Sequence, residues 1–130
     1  MRNLAISLVV IVGVLQFASA CGILGSSATD QDTLDALMEA GSDFTKEHPF
    51  DFYIYHMNKA DAQRICAQLE AEGFLGTVRE GALGDEWLCL ARINFKPSIV
   101  RITEISAKIE ALISEFGGEY DGWETIVIPK

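Results

Sequence analysis

Residues 49–80 read PFDFYIYHMNKADAQRICAQLEAEGFLGTVRE, and the rest of the chain can be interpreted outward from them. Phe50, Phe52 and Ile54 alternate with Asp51, Tyr53 and Tyr55, the period-two pattern of a strand with one buried face. Asn58 then stands at a helix N-cap position, with Asp61 three residues on. From Lys59 the period changes. Ala62, Ile65, Cys66 and Leu69 recur at three- and four-residue steps and share one helical face, and Gly73 ends the helix. Residues 74–80 are predicted as a second strand.

The same grammar repeats downstream. Residues 81–85 are a loop of turn formers, and residues 86–94 (EWLCLARIN) form the most continuously apolar strand. Pro97-Ser98 announces a helix on which Ile102, Ile105, Ile109, Leu112 and Phe116 recur every three or four residues. Gly117-Gly118 stops it. Residues 119–128 (EYDGWETIVI) are a last strand, with a turn or bulge expected at Asp121-Gly122. Upstream, residues 32–40 place Leu34, Leu37 and Met38 on one helical face, with Gly41 as cap. The class is therefore α+β: a ferredoxin-like βαββαβ plan with an antiparallel sheet, preceded by a short N-terminal helix. Both long helices cover one face, and the first and third strands of the plan are central.

Composition narrows the function. The chain has 130 residues, 19 Asp+Glu, 10 Lys+Arg and a net charge of −9, which suits one domain. It is too apolar for intrinsic disorder, at 49%. It is too acidic to bind nucleic acid through charge. Three cysteines are too few for a disulfide-built scaffold.

The N-terminus reads as an address. Met1-Arg2-Asn3 is short and basic, residues 4–17 (LAISLVVIVGVLQF) carry no charge, and Ala18-Ser19-Ala20 has the A-x-A spacing of a cleavage site. An apolar run of this length rises about 21 Å as a helix, short of the roughly 30 Å hydrocarbon core. Residues 1–20 are thus expected to be a signal peptide. Cys21 follows the site directly and resembles the acylated cysteine of bacterial lipoproteins, although Ala18 stands where that pattern prefers Leu. Residues 21–31 are small and polar and read as a flexible tether, and residues 32–130 as the domain. Arg2 on the cytoplasmic side would place the body of the protein outside the cytoplasm, as an exported, membrane-anchored or periplasmic protein. Removing residues 1–20 removes one charge, Arg2, and takes the balance from −9 to −10.

Four stretches carry a family resemblance. Residues 37–43 (LMEAGSD) and 119–123 (EYDGW) resemble the opening and closing motifs of the RraB family, regulators of ribonuclease E activity. Residues 51–55 (DFYIY) and 84–91 (GDEWLCLA) are similar to the same family. The resemblance spans roughly residues 32–128. It implies a ferredoxin-like fold and a small acidic protein that acts by binding another protein, with inhibition of ribonuclease E as the named activity. The export-like N-terminus departs from the family, whose familiar members are cytoplasmic and tend to end in a long acidic tail.

The residues allow several roles. Gly41, Ser42, Asp43, Glu119, Tyr120, Asp121, Gly122 and Trp123 have structural explanations in turns, caps and the sheet–helix seam. They are also expected to form a partner-binding edge if the two motifs meet. Tyr53 and Tyr55 share the sheet face opposite Phe52 and Ile54, a place where aromatics stack on bases in RNA-binding domains. Here the domain is acidic and the Tyr53/Tyr55 strand has no Lys or Arg, so nucleic acid is not the expected partner. A protein with a basic surface is. Cys66 and Cys89 fit either as small core residues or as a disulfide pair. Ser42, Asp43 and His48 are near in sequence but make no triad by spacing alone. No metal-ligand spacing occurs, no cofactor is implied, and the chain reads as non-enzymatic.

Overall fold

The computed structural model describes residues 10–12, 29–82 and 84–130. Apart from Val10–Val12 the expected leader lies outside them, as do Cys21 and most of the expected tether. In chain order the elements are β1 (Val10–Val12), α1 (Asp30–Glu39), β2 (His48–His56), α2 (Lys59–Glu70), β3 (Leu75–Glu80), β4 (Trp87–Phe95), α3 (Ile99–Phe116) and β5 (Glu119–Ile126). The sheet runs β1-β5-β2-β4-β3, antiparallel throughout. Strands β2 and β4 are central within the four strands of the βαββαβ unit, as the sequence implies.

Local chemistry starts each helix. Thr29 and Asp32 make a reciprocal capping box, Thr29 Oγ1 accepting from Asp32 N–H at 3.0 Å and Asp32 Oδ2 from Thr29 N–H at 3.1 Å. This starts α1 at Asp30, earlier than the sequence reading, so Asp30 and Gln31 belong to the helix rather than to a tether. Asn58 caps α2 through Asp61 N–H at 3.0 Å, and Ser98 caps α3 through Arg101 N–H at 3.2 Å.

Alternation in β2 sorts the sheet faces. Phe50, Phe52 and Ile54 are buried with Ile65 and Leu69 of α2 and Ile102, Ile105 and Ile109 of α3 in one core. Phe50 stacks on Phe95 with centroids 4.1 Å apart and meets Trp123 at 5.5 Å. Burial of these side chains stabilises the fold by about 1.5–3 kcal/mol each. Cys66 of α2 and Cys89 of β4 are joined as a disulfide, with Cα atoms 5.7 Å apart, inside the helix–sheet layer.

One feature differs from the sequence picture, and another, the bulge expected at Asp121-Gly122, is present. Three residues of the apolar N-terminal run, Val10–Val12, form an outer strand on β5, in the register Val10↔Ile126, Ile11↔Thr125, Val12↔Glu124. All three are β-branched, and the edge of β5 offers unpaired peptide groups. The register of β5 against β2 also shifts: Phe52 pairs with Trp123 but Ile54 with Tyr120. The extra residue lies at Asp121-Gly122, where Gly122 has φ +94°. The bulge lets Trp123 and Tyr120 both serve the helix-covered side.

Candidate functional site

The opening motif is built around a buried hydroxyl. Gly41, at φ +97°, closes α1 in a Schellman turn: Gly41 N–H donates to Met38 O at 2.9 Å and Ser42 N–H to Leu37 O at 3.3 Å. That turn sets Ser42 against the C-terminal segment. Ile128 N–H donates to Ser42 Oγ at 2.9 Å, and Ser42 Oγ lies 2.5 Å from His48 Nε2. His48 Nδ1 lies 2.8 Å from Lys46 O, a pure acceptor, so Nδ1 carries the proton and Nε2 accepts from Ser42. Burial holds the His48 imidazole below its ordinary pKa, with the Lys46 carbonyl and Asp43 opposing that effect.

Asp43 turns away from this pair. Its Oδ1 accepts from the Thr45 hydroxyl at 2.6 Å and from Thr45 N–H at 3.0 Å. The Thr45 hydroxyl holds its carboxyl below the usual range. Ser42, Asp43 and His48 are neighbours without being a triad, and Ser42 is a buried clamp on the chain end.

The closing motif serves both faces. Trp123 is buried in the core and donates from Nε1 to Asp30 Oδ1 at 2.9 Å, tying β5 to the start of α1. The Tyr120 hydroxyl is paired with Ser106 Oγ at 3.1 Å, and burial pushes its pKa up. The two motifs are linked only indirectly: Trp123 bonds Asp30 at the start of α1, whereas Ser42, past its other end, bonds Ile128. Ser42, Gly122 and Trp123 are buried, and Gly41 is exposed.

The open sheet face carries the remaining candidates, and it is not uniform. At its middle, Arg92 grips Asp51 with two bonds of 2.6 and 2.8 Å, and the Tyr53 hydroxyl donates to Glu124 Oε2 at 2.8 Å. Burial, then the Glu124 contact, pushes the Tyr53 hydroxyl pKa up. These side chains are satisfied by one another. At the end of the face near the β2 C-terminus, Tyr55, Glu86, Glu119 and Asp121 line a shallow depression of about 240 Å³ together with Ala82. An adjoining hollow is bounded by Tyr55, His56, Met57, Glu86, Gly118 and Glu119, and Met57 is 69% exposed. Burial, then the fields of Glu119 and Glu86, pushes the Asp121 carboxyl up. Tyr55 is also pushed up, by burial first and then by Asp121 and Glu86.

This end combines an aromatic ring, an exposed thioether and three carboxylates. Its chemistry suits a basic, partly apolar protein segment. Tyr55, Glu119 and Asp121 were legible as candidates, whereas Glu86 and Met57 were not. Glu86 opens a strand from which the sequence predicts only packing, and Met57 sits in the short link before the Asn58 cap. Among the described residues no group of His, Cys, Asp and Glu is arranged to hold a metal.

The profile of one protein family, regulator of ribonuclease activity B (RraB), matches residues 27–125. The chain belongs to the RraB family. The match takes in α1 and nearly all of the βαββαβ unit, so the family and the observed domain coincide. RraB proteins are non-catalytic regulators that bind a protein, the ribonuclease RNase E. A comparison with curated proteins finds no match.

Proposed function

We propose that this chain is a regulator of ribonuclease activity that binds RNase E through the acidic end of its open sheet face. The observation that carries the reading is the RraB match across residues 27–125. The surface around Tyr55, Glu86, Glu119 and Asp121 adds the chemistry. A net charge of −9 draws a basic partner and repels RNA, so the ribonuclease rather than its substrate is the target. The test is RNA cleavage by purified RNase E with and without the purified chain. A stoichiometric fall in cleavage supports the reading. Full cleavage at a large excess of the chain overturns it.

A second reading is favoured by residues 1–21, whose basic start, uncharged run, A-x-A site and Cys21 have the order of a lipoprotein leader. In it the same domain is an exported, lipid-anchored binding module with a basic protein partner in the envelope. A phosphatase reporter fused after Lys130 separates the two readings, because it is active only when the domain leaves the cytoplasm. The intact mass of the membrane-extracted chain then shows whether it begins at Met1 or at an acylated Cys21.

A further inference from the structure

We propose that the outer edge of β5 at Glu124–Ile126 is a strand-acceptor site, and that it takes an extended, uncharged, β-branched segment of a protein partner in place of Val10–Val12. The inference concerns how a partner is held rather than which one, so it stands or falls separately from the ribonuclease reading.

The argument starts from the sheet order. Strand β5 is the outermost strand of the βαββαβ unit; its inner side pairs with β2 at Glu119, Tyr120, Trp123 and Glu124, and Thr125 adds a side-chain bond to Pro49 O. Its outer side has one neighbour among the described residues, the three-residue β1, against eight residues in β5. A strand edge presents alternate N–H and C=O groups that pair with any extended chain of suitable shape. Here the chain has supplied such a segment itself: Val10, Ile11 and Val12 pair with Ile126, Thr125 and Glu124. They carry no charge and are all β-branched, the residue class that adopts strand geometry at least cost.

The edge is well braced to receive a strand. Thr125 is buried and donates from Oγ1 to Pro49 O at 2.7 Å, and Glu124 is held by the Tyr53 hydroxyl. The neighbouring Trp123 is locked to Asp30. The acceptor groups therefore keep their positions whether or not β1 is present. The occupant is held much less strongly. Only three residue pairs offset the backbone entropy lost as each residue of β1 is fixed. Residues 13–29 lie between β1 and α1, so β1 competes as a tethered ligand of its own domain. In the export reading, residues 1–20 are removed, β1 goes with them, and the edge stands open.

The test uses the full chain and a fluorescent synthetic peptide spanning residues 7–14, with lysines added at both ends for solubility. Ile11→Pro removes the N–H and the extended geometry that β1 needs. It is expected to raise the affinity for the peptide by about tenfold or more, because the site is no longer occupied in cis. Ile11→Gly, which keeps the N–H and weakens the strand, is the second variant and is expected to fall between Ile11→Pro and the unmodified chain. Bound peptide is expected to slow amide exchange at residues 124–126, and N-methylation of its central amide to abolish binding. Equal peptide affinity in all three chains, binding indifferent to N-methylation, or binding that leaves exchange at 124–126 unchanged would each overturn the proposal.

Discussion

Ser42 shows how one residue can account for a motif. Its hydroxyl accepts from the half-buried Ile128 N–H while standing against His48 Nε2, and Ser42 and His48 are both buried. Ser42→Ala leaves the half-buried Ile128 N–H and the buried His48 Nε2 without this partner, at a combined cost of about 1–3 kcal/mol. We expect urea unfolding of Ser42→Ala to show a loss in that range, with the fold retained. The His48 side of the pair predicts a pH effect. Burial lowers the folded pKa beneath the ordinary 6.5, so between those two values the unfolded chain binds more protons. Stability therefore rises with pH through that window. The contribution is complete above about 6.5 and is lost as pH falls towards the folded value. Melting temperatures at a series of pH values should show this slope, and His48→Gln should lack that part of it.

At the scale of elements, the bulge in β5 and the Cys66–Cys89 pair do complementary work. The bulge at Asp121-Gly122 shifts the register so that Tyr120 and Trp123 both reach the helix side, while Glu119 and Asp121 stay beside Tyr55. One added residue thus supports the core and the acidic depression together. The disulfide ties α2 to the central strand β4 across a sequence separation of 23. Closing a loop of that size contributes about 2–4 kcal/mol by restricting the unfolded chain. Adding a reductant should lower the denaturation midpoint accordingly, and Cys66 and Cys89 should resist alkylation in the native protein until reduced. Helix boundaries were legible because caps are local: Thr29 excepted, Asn58, Ser98, Gly41 and Gly73 stand where the pattern puts them. Thr29 falls in a polar stretch that resembles a linker until its pairing with Asp32 is seen.

At the scale of the whole molecule, charge should govern encounter. If the acidic end meets RNase E, raising ionic strength from about 0.05 to 0.5 M should slow association about tenfold, since screening shortens the reach of each carboxylate. A combined Glu86→Gln, Glu119→Gln and Asp121→Asn variant should bind more weakly and lose most of that salt dependence. Stopped-flow association rates measure both. Of this surface the sequence disclosed the net charge and the shared face of Tyr53 and Tyr55. It did not disclose that the two tyrosines differ in use. Tyr53 is closed off by Glu124 beside the Asp51–Arg92 pair, and Tyr55 lines the open hollow.

The sequence by itself determined the order of the elements from α1 to β5, the buried face of most of them, though Met38 of α1 is exposed, and the RraB motifs at both ends of the domain. Periodicity and capping depend on residues a few positions apart, so they are written in the chain directly. Tertiary structure decided which distant groups meet: Ser42 with Ile128, Trp123 with Asp30, Glu86 with Tyr55, and Val10–Val12 with β5. Those pairings follow from strand register, and register is fixed only when the faces of the whole sheet are packed together.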